Sequence, residues 1–211
     1  RPMAPNQGAG EVVLRATGIS KGFPGVKALT DVDLEVRRGE VVALLGENGA
    51  GKSTLIKILS GVYSLDKGEI ELEGKRVKFD LPSEAKAAGI GIIHQELNYV
   101  ATVSVAENIY MGDIPKKGLV IDYRRMYRGA REIMAKIGVD IDPKMPIGRC
   151  TVAQKQLVEI AKVIANDVKV LIMDEPTSAL NDVETENLFR FIGQAKSMGI
   201  AIIYISHKLD E

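Results

Sequence analysis

The segment that most constrains this chain is Gly46–Thr54, which reads Gly-Glu-Asn-Gly-Ala-Gly-Lys-Ser-Thr. It fits the pattern G-x-x-x-x-G-K-[ST], in which glycines let backbone N–H groups curl around an anion. The apolar run Val41–Leu45 precedes it and the helix-like segment Leu55–Leu59 follows it. This is the strand–loop–helix order that the pattern requires, and the start of the helix adds a positive dipole end. The sequence therefore predicts a loop that binds nucleotide phosphates.

The residue types in this loop predict separate roles. Lys52 can reach the β- and γ-phosphates, and the Ser53 hydroxyl can ligate Mg²⁺. The alternative is a glycine-rich turn with a surface lysine, but the strand and helix on either side argue against it. The other predicted nucleotide-binding residues of the loop are Gly46, Glu47, Asn48, Gly49, Ala50, Gly51 and Thr54.

Composition alone favours no particular class of function, although it is compatible with a local charged patch. The 28 basic and 28 acidic residues balance, so bulk charge gives no support for nucleic-acid binding. No apolar run approaches the roughly 18–20 residues that cross a bilayer, so a membrane role would go through a partner. The single cysteine, Cys150, excludes an internal disulfide.

The first part of the chain reads as β-structure. Residues 1–11 are rich in Pro, Gly and polar groups, and we predict a disordered or tag-like tail there. Between Val12 and Phe79, segments such as Asp31–Val36 and Glu69–Glu73 alternate polar and apolar residues. That alternation predicts strands with one wet face, in an antiparallel layer beside the nucleotide.

The middle of the chain carries helical signals, about residues 98–166. Ser104–Glu107 has the S-x-x-E form of a capping box. Apolar residues recur at helical spacing in Tyr123–Ile137 and in Val152–Ile164. We predict a helical region here, with an irregular stretch at Gly138–Arg149.

The last part returns to a strand–helix–strand order. Val168–Met173 and Ile200–Ile205 are apolar runs on either side of the amphipathic segment Asn181–Met198. They predict buried strands of a parallel sheet covered on both faces, and the apolar run Val41–Leu45 also predicts a buried strand. Because a sheet of this kind usually continues with a covering helix and further strands, we expect the chain to be a fragment of a longer polypeptide.

An acidic pair, Asp174-Glu175, ends the strand predicted at Val168–Met173. In parallel sheets ligands bind at the carboxyl ends of strands, where the phosphate loop also lies. Asp174 could hold the Mg²⁺ shell, and Glu175 could accept a proton from an attacking water. The alternative is that the pair is only a polar strand end at the surface. The segment that follows it, Pro176–Leu180, argues against this alternative.

The order of these segments along the chain resembles the ATP-binding cassette (ABC) ATPases, over nearly the whole chain after residue 11. Within that family, the stretches HQELNYVATVSVAENIYMG and LVEIAKVIANDVKVLIMDEPTSAL are similar to ATPase subunits of bacterial monosaccharide importers of the ribose, galactose, arabinose and xylose type. The segments that carry the family resemblance are Gly46–Thr54, Gln95, Thr151–Gln154, Asp174–Glu175, Ser178–Asp182 and His207.

The resemblance implies a fold. We expect a P-loop NTPase of the α/β class, with a RecA-like core, an antiparallel β subdomain and an α-helical subdomain. Residues 12–211 would form a single nucleotide-binding domain, truncated at its C-terminus, with the helical subdomain at about 98–166.

The resemblance also assigns roles outside the loop. Phe23 would stack on adenine, although a core Phe is the alternative. Gln95 would sense Mg²⁺ and the attacking water, and His207 would contact the γ-phosphate. Without the family match, these two would read as a polar loop residue and a packing histidine. His94 is more plausibly structural than catalytic.

The family's signature segment, ideally L-S-G-G-Q, aligns with Cys150–Gln154. Its residues Thr151, Val152, Ala153 and Gln154 would face the ATP held by a second cassette. Cys150 replaces Leu and reads as a small apolar filler. Thr151 replaces Ser and keeps a hydroxyl at the helix start, but its methyl adds bulk where that ATP should approach.

The function implied by the resemblance is binding and hydrolysis of ATP with Mg²⁺, coupled to import of a monosaccharide. Implied partners are membrane permease subunits, through them a periplasmic or extracellular sugar-binding protein, and a second cassette in trans or on the same chain. No nucleic acid is expected, and the location would be the cytoplasmic face of the membrane. The alternative is a soluble or degenerate cassette that acts as an ATP-dependent switch, as in DNA repair or translation.

Overall fold

The structure is a computed structural model that describes residues 10–47, 49–93, 99–177 and 182–206. Its helices are α1 (Lys52–Leu59), α2 (Pro82–Ala88), α3 (Val105–Ile109), α4 (Tyr123–Lys136), α5 (Val152–Ile164) and α6 (Asp182–Ser197). Its strands are β1 (Val12–Phe23), β2 (Val26–Arg37), β3 (Val41–Leu45), β4 (Lys67–Leu72), β5 (Lys75–Val77), β6 (Ile90–Ile93), β7 (Lys116–Lys117), β8 (Val120–Ile121), β9 (Val170–Asp174) and β10 (Ala201–Ser206).

The chain divides into two compact units. Of the described residues, one unit holds 10–47, 49–92, 169–175 and 195–206, and the other holds 93, 99–168, 176–177 and 182–194. The tail predicted at residues 1–11 lies mostly outside the described residues, although its last two, Gly10 and Glu11, accept hydrogen bonds from Arg37 and Arg38 respectively.

The first unit contains the predicted antiparallel layer. Its strand order is β2-β1-β4-β5, and each neighbouring pair runs antiparallel. Alternate residues of β1, such as Leu14 and Ala16, are buried while Arg15 between them is exposed. The polar–apolar alternation in the sequence therefore gives one buried and one wet face, as expected.

The second sheet has the order β3-β10-β9-β6, and β10 runs parallel to both β3 and β9. In this register Ile205 of β10 pairs with Leu44 on one side and with Asp174 on the other. The strand that leads into the glycine-rich loop and the strand that ends in Asp174 are thus separated by one strand. Their carboxyl ends lie at the same edge of the sheet.

The predicted burial of these strands is confirmed for β9 and β10 but is wrong for β3. Most residues of β9 and all residues of β10 are buried, whereas Leu45 of β3 is 51% exposed. The reason is position, because β3 is the outermost strand of this sheet in the described part of the chain while β10 and β9 are central. An apolar run predicts a strand but not its place in a sheet.

Both sheets of the first unit share one apolar core. Helix α1 contributes four buried residues, Leu55, Ile56, Ile58 and Leu59. They belong to the same cluster as the inner faces of β1, β2 and β4 and residues of β9 and β10 such as Ile172 and Ile203. The core therefore holds α1, and with it the loop at its N-terminus, in a fixed position.

The second unit is mainly helical, as predicted, and α3, α4 and α5 pack on one another. The capping box predicted at Ser104 is present, since its hydroxyl accepts from the N–H of Glu107 and the Glu107 carboxylate accepts from the N–H of Ser104. The irregular stretch predicted at Gly138–Arg149 ends in a short 3₁₀ helix, Ile147–Arg149. The hairpin of β7 and β8 was not predicted.

None of the helices that the structure describes combines the length and the apolarity needed to cross a membrane.

Candidate nucleotide-binding site

The glycine-rich loop links β3 to α1, and its geometry explains why glycine stands at its last turn. Gly51 is the residue before α1 and has a φ of 88°, a conformation that disfavours residues with a Cβ. A Cβ on Gly51 would also lie 2.6 Å from the carbonyl oxygen of Ala28 and 2.7 Å from Cδ2 of Leu29. The loop therefore packs directly on the backbone of β2, and this packing aims the start of α1.

Lys52, the first residue of α1, folds back over the loop. Its Nζ atom donates hydrogen bonds to the carbonyl oxygen of Gly46 and, at 3.0 Å, to that of Glu47. The ammonium group consequently lies against the first residues of the loop, which the sequence predicts to bind phosphates. The N–H groups at the first turn of α1 add the partial positive charge of a helix start.

The acidic pair and the glycine-rich loop line one cavity of about 180 Å³ in the first unit. Asp174 and Glu175, at the end of β9, are half-buried in it. The predicted residues that line the cavity are Gly49, Ala50, Gly51, Lys52, Ser53, Thr54, Asp174 and Glu175. The structure thus brings together residues that lie more than a hundred positions apart in the sequence.

Glu175 has an unusual backbone conformation, with a φ of 48°. Its N–H donates a hydrogen bond of 3.1 Å to the carbonyl oxygen of Ile205 on β10. Left-handed conformations cost a non-glycine residue about 1 kcal/mol or more, and such residues concentrate at functional sites. The neighbouring strand therefore fixes the backbone of Glu175 in a conformation that carries an energetic cost.

The oxygen donors of the cavity fit a Mg²⁺ ion. Ser53 supplies an exposed hydroxyl at the start of α1, and Asp174 supplies a carboxylate in the same cavity. Mg²⁺ prefers oxygen ligands and is commonly held by one or two protein oxygens together with substrate phosphates. These two side chains would hold it.

Phe23 lies at the end of β1, in the hairpin with β2, where it pairs with Val26. It is 38% exposed and meets the ring of Tyr63 edge-on, with centroids 5.3 Å apart. The alternative interpretation, in which Phe23 is an ordinary core residue, is therefore wrong. Its ring is accessible for stacking, although its contact with adenine stays a prediction.

Three consecutive residues of β2, Val26, Lys27 and Ala28, line the cavity but were not predicted as site residues, and neither was Ile205. No local pattern could have indicated Lys27, because it reaches the loop only through the contact of β2 with Gly51. Lys27 is a second basic residue in the lining of the cavity, besides Lys52, and it belongs to no sequence motif. It is a candidate phosphate or ribose contact.

The predicted signature segment lies at the start of α5, in the second unit. Thr151 caps this helix, since its hydroxyl accepts from the N–H of Gln154 at 3.2 Å while the Gln154 side chain accepts from the N–H of Thr151 at 2.9 Å. Val152 is exposed and Ala153 is half-buried. Burial raises the pKa of the Cys150 thiol, which agrees with its interpretation as an apolar filler.

Two consecutive residues of α5, which no sequence pattern predicts as site residues, make contacts within the second unit. The ammonium of Lys155 lies 4.8 Å from the ring centroid of Tyr99. The side-chain amide of Gln156 donates a hydrogen bond of 2.8 Å to the carbonyl oxygen of Pro176, the residue after Glu175. The helix that begins with the signature segment is thereby fixed to the chain that follows the acidic pair.

Several predicted residues lie outside the described part of the chain. They are Asn48 in the loop, His94 and Gln95 after β6, the segment Ser178–Asn181 that follows the acidic pair, and His207 after β10.

The fold and the cavity define the class of protein. A parallel sheet whose strand β3 runs into a glycine-rich loop, with an acidic pair at the end of β9 in the same cavity, is the architecture of a P-loop nucleotide-binding protein. Residues 29–178 match the model of the family described as "ABC transporter". The chain belongs to this family of ATP-binding cassettes.

Curated relatives resemble the chain along nearly its whole length. It is 53% identical to "Putative ribose/galactose/methyl galactoside import ATP-binding protein 3" of Burkholderia ambifaria, over 98% of this chain and 41% of the relative. It is 52% identical to the protein named "Putative ribose/galactose/methyl galactoside import ATP-binding protein 1" of Agrobacterium fabrum, over 95% of this chain and 40% of the relative. The chain thus spans about two fifths of the length of these relatives.

Solved structures confirm the fold class. The ADP conformation of MJ1267, an ATP-binding cassette of an ABC transporter, matches with a TM-score of 0.82 and 28% identity, over 94% of this chain and 82% of that one. CbiO1 of Clostridium perfringens, part of the transporter complex cbiONQ, matches with a TM-score of 0.83 and 26% identity, over 95% and 80%. The predicted mixed α/β fold, with a parallel core sheet, an antiparallel sheet and helices, is therefore correct.

Proposed function

We propose that the chain is the ATP-binding and ATP-hydrolysing part of a membrane importer for a monosaccharide. The observation that carries the proposal is the single cavity lined by Lys52, Ser53, Asp174 and Glu175. These side chains are a phosphate-binding cation, a hydroxyl for a metal and two carboxylates, which are the groups that phosphoryl transfer to water requires.

Binding of ATP begins at the loop. The backbone N–H groups of Gly49–Ser53 surround the β- and γ-phosphates, and the ammonium of Lys52 moves from the loop carbonyls to the phosphate oxygens. Phe23 stacks on the adenine from the tip of the first hairpin, where Tyr63 supports its ring. Lys27 stands beside the same cavity and adds positive charge.

Hydrolysis uses the acidic pair. Asp174 and Ser53 would hold Mg²⁺, which would supply positive charge to neutralise the phosphate oxygens. Glu175 accepts a proton from the water that attacks the γ-phosphorus, while Gln95 orients that water and His207 contacts the γ-phosphate. The hydrogen bond from the N–H of Glu175 to the carbonyl oxygen of Ile205 fixes the backbone from which this carboxylate extends.

A second cassette completes the site. Thr151–Gln154 of one cassette approach the ATP held by the loop of the other, with the capped start of α5 pointing its N–H groups at the phosphates. The second cassette comes from another copy or from the same polypeptide. Binding of ATP closes the pair and hydrolysis reopens it, which drives the permease.

The names of the relatives support the proposed cargo and, through it, the proposed partners. Proteins that are 53% and 52% identical to this chain are named import ATP-binding proteins for ribose, galactose or methyl galactoside. We assign the same class of cargo here, with a permease in the membrane, a sugar-binding protein on its outer side, and this chain on the cytoplasmic face.

The test is ATP hydrolysis by the full-length protein, alone and with its permease in proteoliposomes. The proposal predicts hydrolysis that increases when permease and sugar-loaded binding protein are present. ATP binding without permease-stimulated hydrolysis would instead favour a cassette that acts as a switch, for which Thr151 in place of Ser is the supporting observation.

A further inference from the structure

The hairpin of β7 and β8 presents an apolar tip to solvent. Its strands pair Lys116 with Ile121 and Lys117 with Val120, which leaves Gly118 and Leu119 as a two-residue loop. Gly118 has a φ of 65°, as the first position of a tight hairpin turn requires. Leu119 is fully exposed, although turn positions usually carry small or polar residues.

The apolar surface continues beyond the tip. Val120 is 69% exposed, and Tyr123, the first residue of α4, is exposed as well. By contrast, the two-residue loop between β4 and β5 in the first unit is Glu73–Gly74, with a charged residue at its tip. A projecting leucine followed by a valine and a tyrosine is therefore a local feature of this hairpin.

The same segment is strongly basic in a chain with no net charge. Between residues 116 and 136 there are seven basic and two acidic residues, while the whole chain is formally neutral. Lys116 and Lys117 form the first strand of the hairpin, and Arg124 and Arg125 follow Tyr123 on α4. All four are exposed. The apolar tip is thus flanked by positive charge on both sides in the sequence.

The base of the hairpin borders a polar depression of about 690 Å³ within the second unit. Lys116, Arg125 and Arg128 line it, together with Asp113 and Glu132. Arg128 lies 4.0 Å from Glu132, which partly balances its charge. Basic residues outnumber acidic ones in this lining by three to two, so the depression adds a small excess of positive charge next to the hairpin.

We propose that this hairpin is a membrane-contact element that binds the surface of a bilayer rich in anionic phospholipid. Leu119 and Val120 insert at the boundary of the headgroups and acyl chains, Tyr123 lies at headgroup level, and the four basic residues bind lipid phosphates. Apolar wedges, an interfacial aromatic and flanking Lys and Arg are the combination that binds such surfaces.

The geometry favours a bilayer over a protein partner. A stable protein interface buries about 800 Å² on each side and needs a matching surface, whereas the apolar part of this hairpin is a narrow convex tip. A fluid interface accepts a convex wedge without a preformed pocket, and the flanking charge adds attraction that depends on salt.

The test is flotation of the full 211-residue chain with vesicles in the absence of nucleotide and permease. Vesicles of phosphatidylcholine alone are compared with vesicles that contain about one third phosphatidylglycerol. We expect binding to the anionic vesicles only. We expect Lys116→Glu/Lys117→Glu to weaken it about tenfold or more, and Leu119→Ser to weaken it about threefold to tenfold.

Matched variants test whether vesicle binding depends on this hairpin or only on net charge and exposed apolar residues in general. Lys75→Glu/Lys86→Glu makes the same change in net charge at exposed sites of the first unit, and Leu81→Ser removes a leucine that is 57% exposed. Both should bind vesicles like the unmodified chain, and circular dichroism checks that every variant is folded.

The proposal is overturned if the chain does not bind anionic vesicles, or if the control variants lose binding as much as the hairpin variants. A second measurement is capture of the detergent-solubilised permease by the same variants. The proposal is also overturned if the hairpin variants still bind anionic vesicles but no longer capture the permease, since the partner is then a protein. Because neither ATP nor transport enters the assay, these outcomes leave the proposed ATPase function untouched.

Discussion

The ammonium group of Lys52 donates a hydrogen bond to the carbonyl oxygen of Gly46, so that the last part of the glycine-rich loop is tied to its first residue. A second hydrogen bond, to the carbonyl oxygen of Glu47, adds to this closure. The lysine thus stabilises the loop and stands at the position where phosphate oxygens can replace the carbonyls as acceptors.

Lys52→Ala should weaken ATP binding by about tenfold to a hundredfold, because a charge-assisted hydrogen bond contributes about 1.5–3 kcal/mol. The measurement is isothermal titration with ATP. The control is Lys86→Ala, which removes an exposed lysine from α2, outside the cavity. An unchanged affinity in Lys52→Ala, or an equal loss in the control, would contradict the phosphate role.

Gly51→Ala should destabilise the chain more than Gly74→Ala. Both glycines have positive φ, 88° and 72°, and each alanine should cost about 1 kcal/mol for that reason. Only at Gly51 would the new Cβ meet backbone, 2.6 Å from the oxygen of Ala28, whereas Gly74 has open space. The clash should add about 1–3 kcal/mol.

Urea unfolding of the two variants measures this difference. ATP titration of Gly51→Ala should also show weakened binding, since the contact with β2 sets the direction of α1. Equal stabilities in the two variants would show that the close approach of the loop to β2 does not contribute.

Phe23→Ser should weaken ATP binding by about threefold to tenfold, the size expected for loss of one stacked ring. The matched control is Phe189→Ser on α6, since both rings are 38% exposed. Fluorescence titration with a labelled ATP analogue compares them. Similar affinities for both variants would argue that Phe23 does not stack on the nucleotide.

Thr151→Ala should lower the free energy of unfolding by about 1 kcal/mol, because it removes the cap of α5. Thr151→Ser keeps the hydroxyl and should leave stability nearly unchanged. If the methyl group obstructs the ATP of the second cassette, Thr151→Ser should also raise the rate of hydrolysis. Thermal unfolding and steady-state ATPase assays give the two readouts, and a slower Thr151→Ser enzyme would refute the obstruction.

Local signals predicted the parts of the fold that local interactions determine. Helix α5 has the predicted bounds because apolar residues recur at helical spacing after a capping threonine. The capping box at Ser104 could be predicted because it needs only two residues, Ser104 and Glu107, at a fixed spacing. The glycine-rich loop could be predicted because phosphate binding requires fixed residue types at fixed spacing.

The features that the sequence did not reveal depend on distant contacts or on very short elements. The exposure of Leu45 follows from the outer position of β3, which no local pattern encodes. Lys27 reaches the cavity because β2 packs on Gly51. The strands β7 and β8 have two residues each, too few to show alternation, and lie among strong helical signals.

The most direct test of the account is the rate of ATP hydrolysis by Glu175→Gln in the full-length protein with its permease. Glutamine keeps the shape of the side chain but cannot accept the proton, so ATP affinity should be retained while turnover falls by about a hundredfold to ten-thousandfold. Such a variant should hold ATP without cleaving it. Turnover within about twofold of the unmodified protein, at equal ATP affinity, would contradict the claim that the cavity shared by Lys52 and Glu175 is where the terminal phosphate is cleaved.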